Sequence, residues 1–158
     1  MKHPAIFILF ITLALSGSAF AQSKPDFSGT WTLDMAKSDM GQGRPGAQAA
    51  TRTVTVVIKQ TSAVLAIERK AGERVETATL KLDGGESINK SPSGQDIKST
   101  SRWAGSTLVT KSTMSMGEGT AEMSDVRSLS ADGKVMMLDV TRKTPRGNVK
   151  QKLIYNRQ

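Results

Sequence analysis

From residue 53 to its end the chain is built of short alternating segments, and this constrains its fold more than any other feature. Val54, Val56 and Ile58 fall on one face of a seven-residue run, Leu65 and Ile67 on one face of the next. Ala78, Leu80 and Leu82 repeat the pattern, as do Met136, Leu138 and Val140. A period of two over four to eight residues is the signature of a half-buried strand, and the Thr, Val and Ile content suits one. Between these runs stand Ala71-Gly72-Glu73, Asp83-Gly84-Gly85, Ser91-Pro92-Ser93-Gly94, Ala104-Gly105-Ser106, Met116-Gly117-Glu118-Gly119, Asp132-Gly133 and Pro145-Arg146-Gly147. Such turn residues between alternating runs mark hairpins. The spacing predicts an all-β antiparallel up-and-down meander of about eight to ten strands. An open meander of that length would expose two unpaired edges, so closure into a barrel is expected, with a sandwich as the alternative.

The first 21 residues have a different character. Lys2 and His3 precede the apolar run Ala5–Leu15, then small residues lead to Ala19-Phe20-Ala21. The run is short for a bilayer span, and the whole reads as a secretory leader cleaved before Gln22. Residues 22–158 are then a single exported domain, periplasmic or secreted, with no further membrane-length apolar stretch. The chain has no cysteine, so it folds without disulfides and offers no lipid-accepting thiol. One long Gly- and Pro-containing connection, residues 34–50, interrupts the meander. A short helical turn is expected at Asp34–Met40 and a flexible loop at 41–50, which is either a lid or a tolerated insertion.

The only histidine, His3, lies in the leader. Histidine-based nucleophilic triads, the usual zinc sites and the commonest neutral-pH acid–base group are therefore excluded from the working domain. No carboxylate pair or Ser–Lys signature replaces them, so the expectation is a non-catalytic protein without cofactor or metal. Met114, Met116 and Met123 cluster near one hairpin; they suit an adaptable pocket wall better than a soft-metal site lacking His and Cys. Net charge is +8 over the chain. It implies weak, long-range attraction to anionic lipid surfaces. There is no basic helix or basic run, and with few aromatics no stacking platform, so nucleic acid is not expected.

Ser99, Ser101, Thr110 and Ser112 share strand faces with Ile97, Trp103, Leu108 and Met114. A solid core rarely spends four hydroxyls this way. A water-containing cavity and a partly solvent-facing sheet both fit. Asp125 and Arg127 fall on one face of a strand, where structural ion pairing is the ordinary role of such neighbours.

Phe27-Ser28-Gly29-Thr30-Trp31 resembles the Gly-x-Trp opening strand of lipocalins and the start of fatty-acid-binding proteins. The ordered series Gly29–Ser38 (GTWTLDMAKS), Arg102–Val109 (RWAGSTLV), Ser128–Val140 (SLSADGKVMMLDV) and Lys152–Gln158 (KLIYNRQ) resembles secreted bacterial lipocalin-like proteins along essentially the whole of 22–158. The resemblance implies a calycin-like barrel holding a small lipophilic or amphipathic ligand. It implies that Gly29 and Trp31 form the barrel floor, beneath a basic side chain for which Arg142 and Lys152 are candidates. Trp31, Trp103, Met114, Arg127 and Tyr155 are the candidate ligand-binding residues. The arrangement departs from fatty-acid-binding proteins at the last strand, where Leu153 stands two before Tyr155 in place of an arginine; the lipocalin Thr-Asp-Tyr turn is absent. The alternative function is an envelope interaction protein that uses its basic surface and holds no internal ligand.

Overall fold

The computed structural model describes residues 24–41, 53–117, 119–145 and 147–158. The leader expected at 1–21 and all but the first residue of the loop expected at 41–50 lie outside them. The described residues form ten strands: β1 (Gly29–Leu33), β2 (Val54–Gln60), β3 (Val64–Ala71), β4 (Arg74–Lys81), β5 (Glu86–Lys90), β6 (Asp96–Ala104), β7 (Thr107–Met116), β8 (Gly119–Leu129), β9 (Val135–Thr144) and β10 (Gly147–Arg157). They make one antiparallel sheet in the order β4-β3-β2-β1-β10-β9-β8-β7-β6-β5. This is the expected all-β meander curled into a nearly closed barrel. The first strand joins the last through Trp31↔Arg157 and Leu33↔Tyr155.

The remaining seam, between β4 and β5, is closed by side chains. The Asn89 side chain accepts from Thr79 N–H at 2.7 Å and donates to Thr79 C=O at 3.0 Å; Ser87 Oγ accepts from Lys81 N–H at 2.8 Å. An amide side chain offers both donor and acceptor, so Asn89 mimics a backbone partner where the ladder is interrupted.

The segment after β1 departs from expectation. A single turn at Met35–Lys37 follows Asp34, whose carboxylate accepts from Lys37 N–H at 3.2 Å. The chain then extends, and Asp39 exchanges two 2.8 Å backbone bonds with Lys152 on β10. The helical turn therefore ends early because the free edge of β10 offers backbone partners that a continued helix would leave unsatisfied. Gly41 (φ +72°) completes this contact: a Cβ there would stand 2.2 Å from the Lys150 carbonyl oxygen.

The alternation read from sequence sets the inside and outside of the barrel. Val54, Val56, Ile58, Leu65, Leu80, Leu82, Leu108 and Met136 are buried together with Phe27, Trp31, Leu33 and Tyr155. This core lies toward the end carrying the β4–β5, β6–β7 and β8–β9 turns. At the other end the inward positions are filled by Arg74, Glu76, Ser112, Met114 and Arg142 instead. One half is thus a packed hydrophobic plug; the other half surrounds a cavity.

The plug has a defined floor. Trp31 is fully buried, and its Nε1–H donates to Phe27 C=O at 2.9 Å. The Arg157 guanidinium lies 4.4 Å from the ring centroid and donates to Ser28 C=O and Gly133 C=O. A side chain at Gly29 (φ +138°) would meet Arg157 Nη1 at 2.9 Å, which accounts for the glycine in Gly-Thr-Trp. The basic residue over the tryptophan is therefore Arg157, neither Arg142 nor Lys152. Arg157 stands directly opposite Trp31 across the β1–β10 pair, whereas Lys152 is exposed and Arg142 lines the far end of the barrel.

Candidate functional site

The cavity has a volume of about 950 Å³ and opens at the end opposite Trp31. Its size lies within the range of small-molecule sites. Apolar contacts come from Val56, Ile67, Leu80, Met114, Met136 and Leu138. The β6–β7 wall contributes hydroxyls: Ser99 pairs with Ser112 at 2.8 Å, and buried Ser101 with Thr110 at 2.9 Å. Ser99, Thr110 and Ser112 line the cavity; Ser101 sits below it. Because each hydroxyl binds its cross-strand partner, the wall is polar without leaving orphaned groups.

The charged groups set the site's electrostatics. On β8, period two turns Met123, Asp125 and Arg127 inward, and all three line the cavity. Arg127 is 5% exposed and faces Leu108 and Leu138 on the flanking strands. Its Nε and Nη1 are buried without a hydrogen-bond partner. Burial pulls its pKa down, opposed by Asp125 and Tyr155. A guanidinium nevertheless stays protonated in proteins, so Arg127 is a buried cation on the cavity wall with two donors that have no partner.

Asp125 does not neutralise it through contact: among the described residues no ion pair joins them within 4.0 Å. Burial raises the Asp125 pKa, with Arg127 and Arg142 opposing the shift. Burial also raises that of Tyr155, opposed chiefly by Arg69 and Arg127. Nearer the mouth, Glu76 binds Arg69 at 3.3 Å and Arg74 at 2.6 Å. These two cations share one paired carboxylate; Arg127 has no ion-pair partner among the described residues.

Of the residues singled out from sequence, Met114, Arg127 and Tyr155 line the cavity. Trp31 and Trp103 do not. Trp31 closes the floor. Trp103 stacks on Phe27 (centroids 5.9 Å apart, planes at 10°), beneath Lys24 at 5.8 Å. Both tryptophans follow the inward alternation, but on the plugged side of the barrel, where inward means core. Met116 and Met123 join Met114 on the cavity wall. Arg69, Glu76 and Arg142 were not anticipated as cavity residues. Arg69 could have been, since it continues the Leu65–Ile67 face by one step; Arg142 likewise continues Leu138 and Val140.

No family model matches the sequence, and neither does any curated protein. Solved structures do match. Human cRBP IV superposes with a TM-score of 0.62 at 19% identity, covering 85% of this chain and 99% of its own. The REP1-NXSQ fatty acid transporter gives 0.60 at 18% identity, covering 83% and 95%. Zebrafish ileal bile acid-binding protein, solved with cholic acid, gives 0.62 at 16% identity, covering 84% and 98%. The match extends over nearly the full length of each neighbour, and at these identities it concerns architecture: the chain has the calycin barrel fold.

Proposed function

We propose that this protein is a non-catalytic carrier, exported by its leader, that holds a small amphipathic molecule inside the barrel with its anionic or strongly polar end at Arg127. The observation that carries this reading is the buried Arg127 guanidinium, with Nε and Nη1 unpartnered on the wall of a cavity of about 950 Å³. Leaving charged donors unsatisfied away from water is costly, and a ligand acceptor offsets that cost. The apolar contacts from Ile67, Leu80, Met114 and Leu138 suit a hydrocarbon body. Two of the solved neighbours support the reading by analogy, one being a fatty acid transporter and the other a bile acid-binding protein complexed with cholic acid.

Dye binding tests it. The anionic apolar dye 8-anilinonaphthalene-1-sulfonate and a neutral apolar dye such as 1-aminoanthracene are titrated into the protein and into Arg127→Met. The variant is expected to lose at least about tenfold in affinity for the sulfonate, the scale of one charge-assisted hydrogen bond, while keeping the neutral dye. Equal sulfonate binding by both proteins would contradict the assignment of Arg127. Failure of both dyes to bind the unaltered protein would contradict the carrier reading.

A further inference from the structure

The outer wall of the β6–β10 half carries a second feature, independent of the cavity. Lys98, Lys111, Lys143, Lys150 and Lys152 alternate with inward residues along four of these strands and are all exposed. Register places them side by side: Lys111, Ser124, Thr141 and Lys150 form one row across β7–β10. Thr113, Glu122 and Lys143 form the next. The two lysines of the first row are three strand spacings apart, about 14 Å. Among the described residues Glu122, Asp139 and, at the start of β6, Asp96 bring negative charge to this face, and none of the five lysines takes part in an ion pair within 4.0 Å. The lysines of the opposite wall differ, since Lys70 pairs with Glu68 at 2.8 Å and Lys90 with Asp96 at 2.6 Å.

The face is also shaped. A depression of about 390 Å³ lies at its centre, lined by Lys111 and Lys143, by the hydroxyls of Thr113, Ser124 and Thr141, and by Glu122 between Thr113 and Lys143. In the rows below it, Val109 opposes Val126 and Met137 opposes Ile154, all half-buried and outward. Cations over a partly apolar strip, with a hydroxyl-lined hollow, match a bilayer surface: diffuse negative charge, phosphate groups and acyl chains beneath.

We propose that this β6–β10 face is a docking surface for bilayers bearing anionic phospholipid headgroups. A bilayer fits better than nucleic acid, because the face holds no aromatic side chain on which a base could stack. It fits better than a folded protein, because among the described residues no aromatic anchor projects from the face, and its outward arginine, exposed Arg102 opposite Val109, lies against Gly84 of the β4–β5 turn. The lysines spread over several strands, whereas lipid charge moves laterally to meet them. Attraction to such a surface reaches about a Debye length and weakens with salt.

Vesicle co-sedimentation tests this. The protein is mixed with phosphatidylcholine vesicles, with and without phosphatidylglycerol, at low and high salt. Two triple variants are compared: Lys111→Glu/Lys143→Glu/Lys150→Glu on the proposed face, and Lys59→Glu/Lys70→Glu/Lys81→Glu on the opposite wall. Both change net charge equally, and circular dichroism with thermal melting shows which are folded. Binding only to the phosphatidylglycerol vesicles is expected, reduced at least about tenfold in the first variant and no more than about twofold in the second. Absence of vesicle binding would overturn the proposal. Equal loss in both variants would overturn it too, reducing the effect to total charge. Should the first triple variant fail to fold, Lys150→Glu alone, at an exposed site, must still weaken binding more than Lys59→Glu. Salt-sensitive binding to duplex DNA without vesicle binding would reassign the face to nucleic acid.

Discussion

Arg127 and Asp125 occupy positions where a protein built only for stability would place aliphatic side chains. Both lie on the inward face of β8, both are desolvated, and no close ion pair joins them. Replacing a buried charge by a side chain of similar length removes the desolvation penalty. Arg127→Met is therefore expected to melt no lower than the unaltered protein while its binding of the anionic dye falls; a large loss of stability would mark Arg127 as structural. Asp125 gives a pH prediction. Its pKa is raised in the folded state, so it favours folding fully only when protonated, below the ordinary carboxylate range. That contribution is lost as pH rises from there through the raised value. Asp125→Asn stays neutral throughout. Its stability relative to the unaltered protein is expected to increase with pH across that window and then level off, as measured by urea unfolding at a series of pH values. A flat difference would mean that Asp125 titrates normally.

Among the elements, the β4–β5 seam is the weakest join in the barrel, because side-chain bonds replace a backbone ladder there. Asn89→Ala removes both bonds to Thr79. A cost of about 1–2 kcal/mol is expected, together with faster amide exchange at Thr79 and no change at Trp31 on the far side of the sheet. Unchanged exchange at Thr79 would show that the seam is held by packing alone. This seam was not legible from sequence. Period two identifies which residues of β4 and β5 face inward, but not that two neighbouring strands are too far apart for a ladder. The strands themselves were legible, from Val54–Ile58 through Met136–Val140, because alternation and turn chemistry are local. The segment after β1 was not. Asp34 and the residues after it carry a helix-start pattern, and a long-range pairing of Asp39 with Lys152 overrides it.

For the molecule as a whole, closure explains how one inward alternation produces two environments. Residues near the Trp31 end converge on a plug capped by Arg157, and residues near the other end surround open space. The sequence carries the inward set but not the depth of each residue along the barrel axis. This is why Met114, Arg127 and Tyr155 reach the cavity while Trp31 and Trp103 do not. It is also why the capping role could not be assigned to Arg157 before the β1–β10 register was known. The cavity is proposed to hold an amphipathic molecule at Arg127. Native mass spectrometry of the protein purified from the cells that make it tests this most directly. The expected result is an added small-molecule mass that is released on gentle activation and is absent from Arg127→Met purified in the same way. A ligand-free mass that persists after incubation with fatty acids, isoprenoids and lipid extract of the same cells would contradict it.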